Sequence, residues 1–319
     1  MSTIEQAVKR LEELRTAGVD VPWTPTPPAE TTPPAPSPFM SGASGASPAA
    51  AASVHPLPAQ AKPVEPAARS AKPQDMGTRS KQVEIDLNRL AAQGYIVPHA
   101  TRSLLVDEFR VVKRPLLGNI TGAASTKIDR PNLIMVTSSL PGEGKTFVAA
   151  NLAMSIAAEL NHTVLLVDAD PSRSTLLERL GIAPAQGLID KLLHPELDLS
   201  DLILATNVPK LAVLPVGTPN AQATELFASA TMDLLLEEMA HRYRDRVIIL
   251  DAPPLLPSAE ARALSLHAGQ ILFVVQAGRT HQGTVQQSLT MLQDHPMVYT
   301  LLNQSRGPKA GSPYGYYAY

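Results

Sequence analysis

From about residue 83 onward, short apolar runs alternate with stretches of helical spacing. The runs Asn132–Thr137, Thr163–Val167, Leu211–Pro215, Arg246–Leu250, Gln270–Val275 and Val298–Leu302 are mostly apolar, without regular polar alternation. Strands of that kind are buried on both faces, as in a parallel sheet covered by helices. Helical spacing is found at Thr146–Leu160, Met232–His241, Ala259–Leu266 and Gly283–Gln293. Near the start, Ile4, Ala7, Val8, Leu11 and Leu14 also recur at helical spacing, with Ser2 and Glu5 at the spacing of a capping box. The pattern predicts a short amphipathic helix within residues 1–20, an aperiodic segment over 21–82, an α/β domain over 83–310 and a short tail over 311–319.

Composition explains the aperiodic segment. Fourteen of the 30 prolines fall between Pro22 and Pro73, among Ala, Ser, Thr and Gly. Such a stretch has too little apolar surface to offset the entropy of ordering, so a disordered Pro/Ala-rich linker is expected. The helix before it is marginal alone in water; it either docks on a partner or packs on its own domain. The chain has no Cys, and 27 basic against 29 acidic residues give a net charge of -2. That removes thiolate chemistry and suits a reducing compartment. It also speaks against a broad nucleic-acid-binding surface. With no secretory signal and no apolar run of spanning length, the expected location is cytoplasmic.

The candidate chemistry begins after the first predicted strand of the α/β region. Ser138-Ser139-Leu140-Pro141-Gly142-Glu143-Gly144-Lys145-Thr146 leads into the Ala-rich helix expected over Thr146–Leu160. Glycines let backbone N–H groups close around phosphate, and the following helix N-terminus favours anions. Lys145 would reach the β- and γ-phosphates, and the Thr146 hydroxyl would bind magnesium. The usual first Gly of such a loop is Ser139 here. Two further strands run into acidic residues, Asp168-Ala169-Asp170 and Asp251-Ala252-Pro253-Pro254. Carboxylates at strand ends can hold Mg2+ or take a proton from an attacking hydroxyl.

These three motifs together resemble the Walker motifs of bacterial tyrosine kinases, above all the autokinases associated with exopolysaccharide and exosortase loci. Val106–Leu117, Ala223–Met232 and Ala277-Gly278-Arg279-Thr280 extend the likeness over about residues 84–319. The resemblance implies a P-loop NTPase-like, mostly parallel sheet flanked by helices. It further implies ATP and Mg2+ as cofactors, bound through Pro141, Gly142, Glu143, Gly144, Lys145, Thr146 and Phe147, with Asn303 near adenine. Thr146, Asp168 and Asp251 would serve the metal, Asp170 would support it, and Asp168 would alternatively accept the tyrosine proton. Two positions depart from the family pattern. Pro171 and Ser172 precede Arg173, where a basic residue commonly follows the second Asp sooner. The ring-assembly motif Glu-x-x-Arg-x-x-Arg has Asp107, Arg110 and Lys113 as its nearest match. Lys lacks the bidentate fork of Arg.

Four of the seven tyrosines, Tyr314, Tyr316, Tyr317 and Tyr319, lie in the last six residues. Gly and Pro among them disfavour regular structure and leave the hydroxyls accessible. The expected function is therefore autophosphorylation of that cluster in trans, regulating exopolysaccharide synthesis and export. The expected partners are other copies of the chain, a membrane-embedded chain-length-determinant protein that recruits it to the inner membrane, and a protein-tyrosine phosphatase. Two other readings compete with this one. A partitioning ATPase would carry an extra Lys early in the loop, where Leu140 stands; a nucleotide-dependent scaffold would bind ATP without transfer.

Overall fold

The computed structural model describes residues 81–98, 103–122, 128–243 and 246–305. The chain divides into two units, Met1–Arg69 and Ser70–Tyr319, and every described residue belongs to the second. The expected N-terminal helix, nearly all of the expected linker and the tyrosine-rich tail lie outside the described residues.

The elements follow one another as β1 (Gln82–Val83), α1 (Leu87–Ala92), α2 (Leu104–Ile120), β2 (Leu133–Ser138), α3 (Lys145–Ala157), β3 (Thr163–Asp168), α4 (Leu176–Leu180), α5 (Leu188–Leu193), α6 (Leu199–Leu202), β4 (Leu204–Thr206), β5 (Leu211–Leu214), α7 (Ala223–Phe227), α8 (Ala230–Arg242), β6 (Arg246–Asp251), α9 (Ala259–His267), β7 (Gln270–Gln276), α10 (Gln282–Met291) and β8 (Val298–Asn303). One sheet of eight strands has the order β1-β4-β5-β3-β6-β2-β7-β8. Every neighbouring pair is parallel except β4 with β5. That exception is a hairpin, turned at Lys210 with φ 66°. All six strands expected from the apolar runs are present. The two unexpected ones, β1 and β4, are too short to carry a periodic signal, and β1 takes Gln82 from the segment expected to be linker.

Alternation within the apolar runs divides the core in two. Leu133 and Met135 of β2, Leu165 and Val167 of β3, and Ile248 and Leu250 of β6 join one cluster with α5, α8 and α9. Ile134 and Val136, Val164 and Leu166, and Val247 and Ile249 join the other with α1, α2, α3 and α4. Helix α3 is buried around nearly its whole circumference, as suits a mostly apolar helix in the middle of a layer. Burying this surface on both faces supplies the dominant stabilisation, and it leaves the carboxyl ends of the central strands β3, β6 and β2 as the place where loops can gather.

Helix α2 carries Pro115 inside it, which leaves the carbonyl of Val111 without its helical partner; Val111 is exposed, so water can satisfy that group. The inner face of α2 contains Lys113, which is buried. Its ammonium donates to the Ser155 carbonyl at 2.6 Å and pairs with Glu159 Oε1 at 2.5 Å. That bond holds the Glu159 carboxyl below its usual range. Lys113, expected at a contact between copies, is thus engaged within its own subunit, whereas Arg110 stays half-exposed beside Asp107 at 2.6 Å. Replacing Lys113 by Ala should cost about 2 kcal/mol, because the Ser155 carbonyl loses its donor in a buried place. Urea unfolding of Lys113→Ala and of the better-filling Lys113→Met, which should lose less, would measure this.

Candidate active site

Sequence places the loop Ser139–Gly144 between an apolar strand and an apolar helix, and the fold keeps both ends rigid. Gly142 and Gly144 have φ of 90° and 95°, the left-handed region in which a Cβ is disfavoured. At Gly144 a Cβ would also stand 2.1 Å from the Asn303 amide nitrogen. Glu143 lies between the two glycines with its carboxylate turned inward and buried. One oxygen accepts the Leu140 N–H at 2.6 Å, and the other accepts the Thr280 hydroxyl. The Glu143 carbonyl accepts from Asn303 Nδ2 at 2.9 Å. The Glu143 side chain therefore braces the loop from behind, while Gly142, Gly144, Lys145 and Thr146 face a cavity of about 680 Å³.

Register brings the acidic residues together. Asp168 on β3 is paired with Asp251 on β6, and Asp251 with Val136 on β2. Lys145 Nζ donates to Asp170 Oδ2 at 2.9 Å, and both side chains are largely buried. The other Asp170 oxygen accepts the Arg173 N–H at 3.0 Å. Asp168 accepts from the Ser174 hydroxyl at 2.6 Å and from the Asp170 N–H at 3.3 Å. Burial nevertheless pushes the Asp168 carboxyl up to about 6. Asp251 is pushed up to about 7, again by burial, against the pull of Lys145 and a hydrogen bond from Thr146. Its Oδ1 is buried with no hydrogen-bond partner, as is the Ser139 hydroxyl.

The cavity continues past Phe147 to Asn303 and Gln304 on one side, and to Asp170, Ser172 and Arg173 on the other. Pro141, Pro253, Pro254 and Glu260 also line it. Sequence reasoning did not single out Glu260, and it named Thr280 only within the stretch Ala277-Gly278-Arg279-Thr280 that extends the likeness. Their roles are set largely by contacts distant in sequence: Glu260 accepts from Thr224, 36 residues away, as well as from nearby Ser258, and Thr280 reaches Glu143 across 137 residues.

An oxygen-ligand cation fits this arrangement. Asp251 has an unpartnered buried oxygen next to the Thr146 hydroxyl. Among the described residues no three His, Cys, Asp or Glu side chains form a metal site on their own. Mg2+ is commonly bound in this manner, through one or two protein oxygens with phosphate and water completing the shell.

A sequence model described as "AAA domain" matches residues 132–298, just over half of the chain. The chain belongs to the AAA-domain family. Within it, the succinoglycan biosynthesis transport protein ExoP of Rhizobium meliloti (strain 1021) is 33% identical over 206 residues, covering 64% of this chain and 25% of that protein. Tyrosine-protein kinase YwqD of Bacillus subtilis (strain 168) is 29% identical over 219 residues, 68% of this chain and 87% of that one. The chain spans about a quarter or less of the length of the larger relatives, 25% of ExoP and 21% of the tyrosine-protein kinase ptk of Acinetobacter johnsonii. Among solved structures, the kinase domain of Escherichia coli tyrosine kinase ETK shares the fold, with a TM-score of 0.53 at 21% identity over 70% of this chain and 97% of that one. The VpsO kinase domain gives 0.51 at 25% identity, over 64% of this chain and all of its own. The likeness to bacterial tyrosine kinases expected from the motifs thus reappears in the relatives. Among the described residues no helix is long and apolar enough to cross a membrane.

Two outcomes test this geometry. Gly144→Ala should abolish nucleotide binding by equilibrium dialysis, because a left-handed φ and a clash with Asn303 coincide; Gly142→Ala, whose Cβ meets nothing within 4 Å, should only weaken it. Asp168 and Asp251 have folded pKa values raised to about 6 and about 7. The native state therefore holds more protons than the unfolded chain above about pH 4, so these groups remove stability as pH rises towards about 7. Bound Mg2+ would offset the ionised carboxylates, so thermal melting should show a larger Mg2+ stabilisation at pH 8 than at pH 5.

Proposed function

We propose that this chain is an ATP-dependent protein-tyrosine kinase that phosphorylates the cluster Tyr314, Tyr316, Tyr317 and Tyr319 on a neighbouring copy. The observation that supports it most is the convergence of the phosphate loop with Asp168, Asp170 and Asp251, in a chain whose relatives include named tyrosine kinases.

Backbone N–H groups of Gly142–Thr146 and the start of α3 receive the phosphates. Asn303 lies at the end of β8, two strands from β2 on one side; Asp168 lies at the end of β3, two strands from β2 on the other. With adenine towards Asn303, the terminal phosphate points to the β3 side, where Lys145 meets it. Mg2+, held by Thr146 and Asp251 with Asp170 nearby, would supply charge neutralisation of the phosphate oxygens. The tyrosine oxygen attacks the γ-phosphorus, its new O–P bond forms as the bond to the β–γ bridging oxygen breaks, and ADP departs. The phenolic proton goes to the carboxylates at the end of β3. Asp168, with a pKa of about 6, is ionised at neutral pH and holds the proton transiently. Positioning and electrostatics do most of the work in such a transfer.

The family resemblance supports the wider role we propose: control of exopolysaccharide synthesis and export, assembly into a homo-oligomer with Arg110 at a contact, recruitment to the inner membrane by a chain-length-determinant protein, and reversal by a tyrosine phosphatase. Each phosphate adds about -1.5 to -2 charge, so a fully modified cluster repels itself and loosens the assembly.

Intact mass before and after incubation with Mg2+ and ATP is the test. Gains in multiples of one phosphoryl group on residues 314–319 are expected, none in Lys145→Met, and a loss of at least about 10²-fold in rate for Asp168→Asn. ADP release without any mass gain, also in the presence of the determinant's cytoplasmic segment, would leave an ATPase and defeat the kinase reading.

A further inference from the structure

Beside the nucleotide cavity, on the β3 side, lies a second recess of about 630 Å³. It shares Phe147, Arg173, Thr175 and Arg179 with the first cavity and adds Arg89, Gln93, Tyr95 and Glu178. Three arginines and one acidic side chain thus face one opening. Arg89 donates to the carbonyls of Glu178 and Arg179 at 2.8 and 3.0 Å, and Arg179 donates to Thr175 Oγ1 and Tyr95 Oη at 3.4 Å each. These acceptors are neutral. Among the described residues none of the three guanidinium groups forms an ion pair with a carboxylate, whereas Arg110, Arg130 and Arg242 all do. The recess also has aromatic walls: the Tyr95 and Phe147 rings are 5.0 Å apart at 52°.

We propose that this recess binds a phosphotyrosine that neighbours the acceptor tyrosine on the incoming peptide. The proposal rests on the kinase reading above. Guanidinium forks suit a phosphate dianion, and the paired rings suit the phenyl group that a phosphoserine or an acidic side chain lacks. Position supports the same occupant. The strand order separates the recess from Asn303, so it adjoins the terminal phosphate and the acceptor's path rather than the adenine end. Arg89 comes from α1, which contributes nothing to the phosphate loop. An acceptor with several tyrosines a few residues apart, such as residues 314–319, presents the necessary spacing. One modified tyrosine seated among the arginines would bring the next towards Lys145, so each transfer would favour the following one until no unmodified acceptor remained.

The test uses the phosphatase-treated full chain and two peptides of sequence SPYGYYAY, one unmodified and one phosphorylated on a single tyrosine. Fluorescence anisotropy should show the phosphopeptide binding at least about tenfold more tightly, with saturating ATP and Mg2+ leaving that preference intact. Arg89→Gln should bring the phosphopeptide's KM up to that of the unmodified peptide without altering turnover of the latter. Glu178→Gln, which removes the recess's one acidic group, should sharpen the preference, a gain that misfolding cannot produce. Equal binding of the two peptides, or displacement of the phosphopeptide by ATP, would overturn the proposal. A chain that binds the phosphopeptide as expected yet transfers no phosphate would refute the kinase reading while leaving the anion site standing.

Discussion

The turn between β2 and α3 has to aim several backbone N–H groups at one centre, and the buried carboxylate of Glu143 keeps it in that shape. Two left-handed glycines flank it, and neither would hold the loop alone, since glycine also raises the entropy of the unfolded chain. Glu143 supplies the missing constraint by accepting from Leu140 within the loop and from Thr280 outside it. Asn303 adds a second tie to the same residue. Three parts of the chain far apart in sequence thereby meet at one residue, two ties running through the Glu143 carboxylate or carbonyl from outside the loop, which makes the cradle a tertiary structure as much as a local one.

In front of that cradle the charges do not balance. Asp168, Asp170 and Asp251 surround the one ammonium of Lys145, and burial raises two of the three carboxyls. A protein interior tolerates this through protonation or a cation, and a metal-dependent phosphate site requires the same condition. The destabilising arrangement of the carboxylates is thus the same geometry that would suit a divalent cation.

Much of this was legible in the sequence. The six apolar runs become the six longest strands; five are buried on both faces, which writes itself as nearly unbroken hydrophobicity, whereas β8, at the sheet edge, is partly exposed. Lys145, Asp168, Asp170 and Asp251 were legible because strand-end chemistry sits at fixed places relative to those runs. Short elements were not: β1 and β4 are two and three residues long, below the length of any period. Nor were residues whose importance depends on distant contacts. Glu143 reads as one more member of the phosphate loop, but its carboxylate turns to Thr280. Lys113 reads as a residue exposed for a contact between copies, but the packing of α2 on α3 places it inward on Ser155. Arg89 and Arg179 have no motif, and only the packing of α1 against α4 makes them neighbours.

The pair between Lys145 and Asp170 bears on selectivity. Because the ammonium already has a carboxylate partner 2.9 Å away in a largely buried setting, any ligand must outcompete that partner for it. A singly charged anion offers the lysine little that Asp170 does not already give. A triphosphate with its accompanying cation offers more charge to the lysine and, at the same moment, a new counter-ion to the displaced carboxylate. Recognition at this site is therefore an exchange of partners, in which the protein's own acid acts as the threshold that small anions fail to cross.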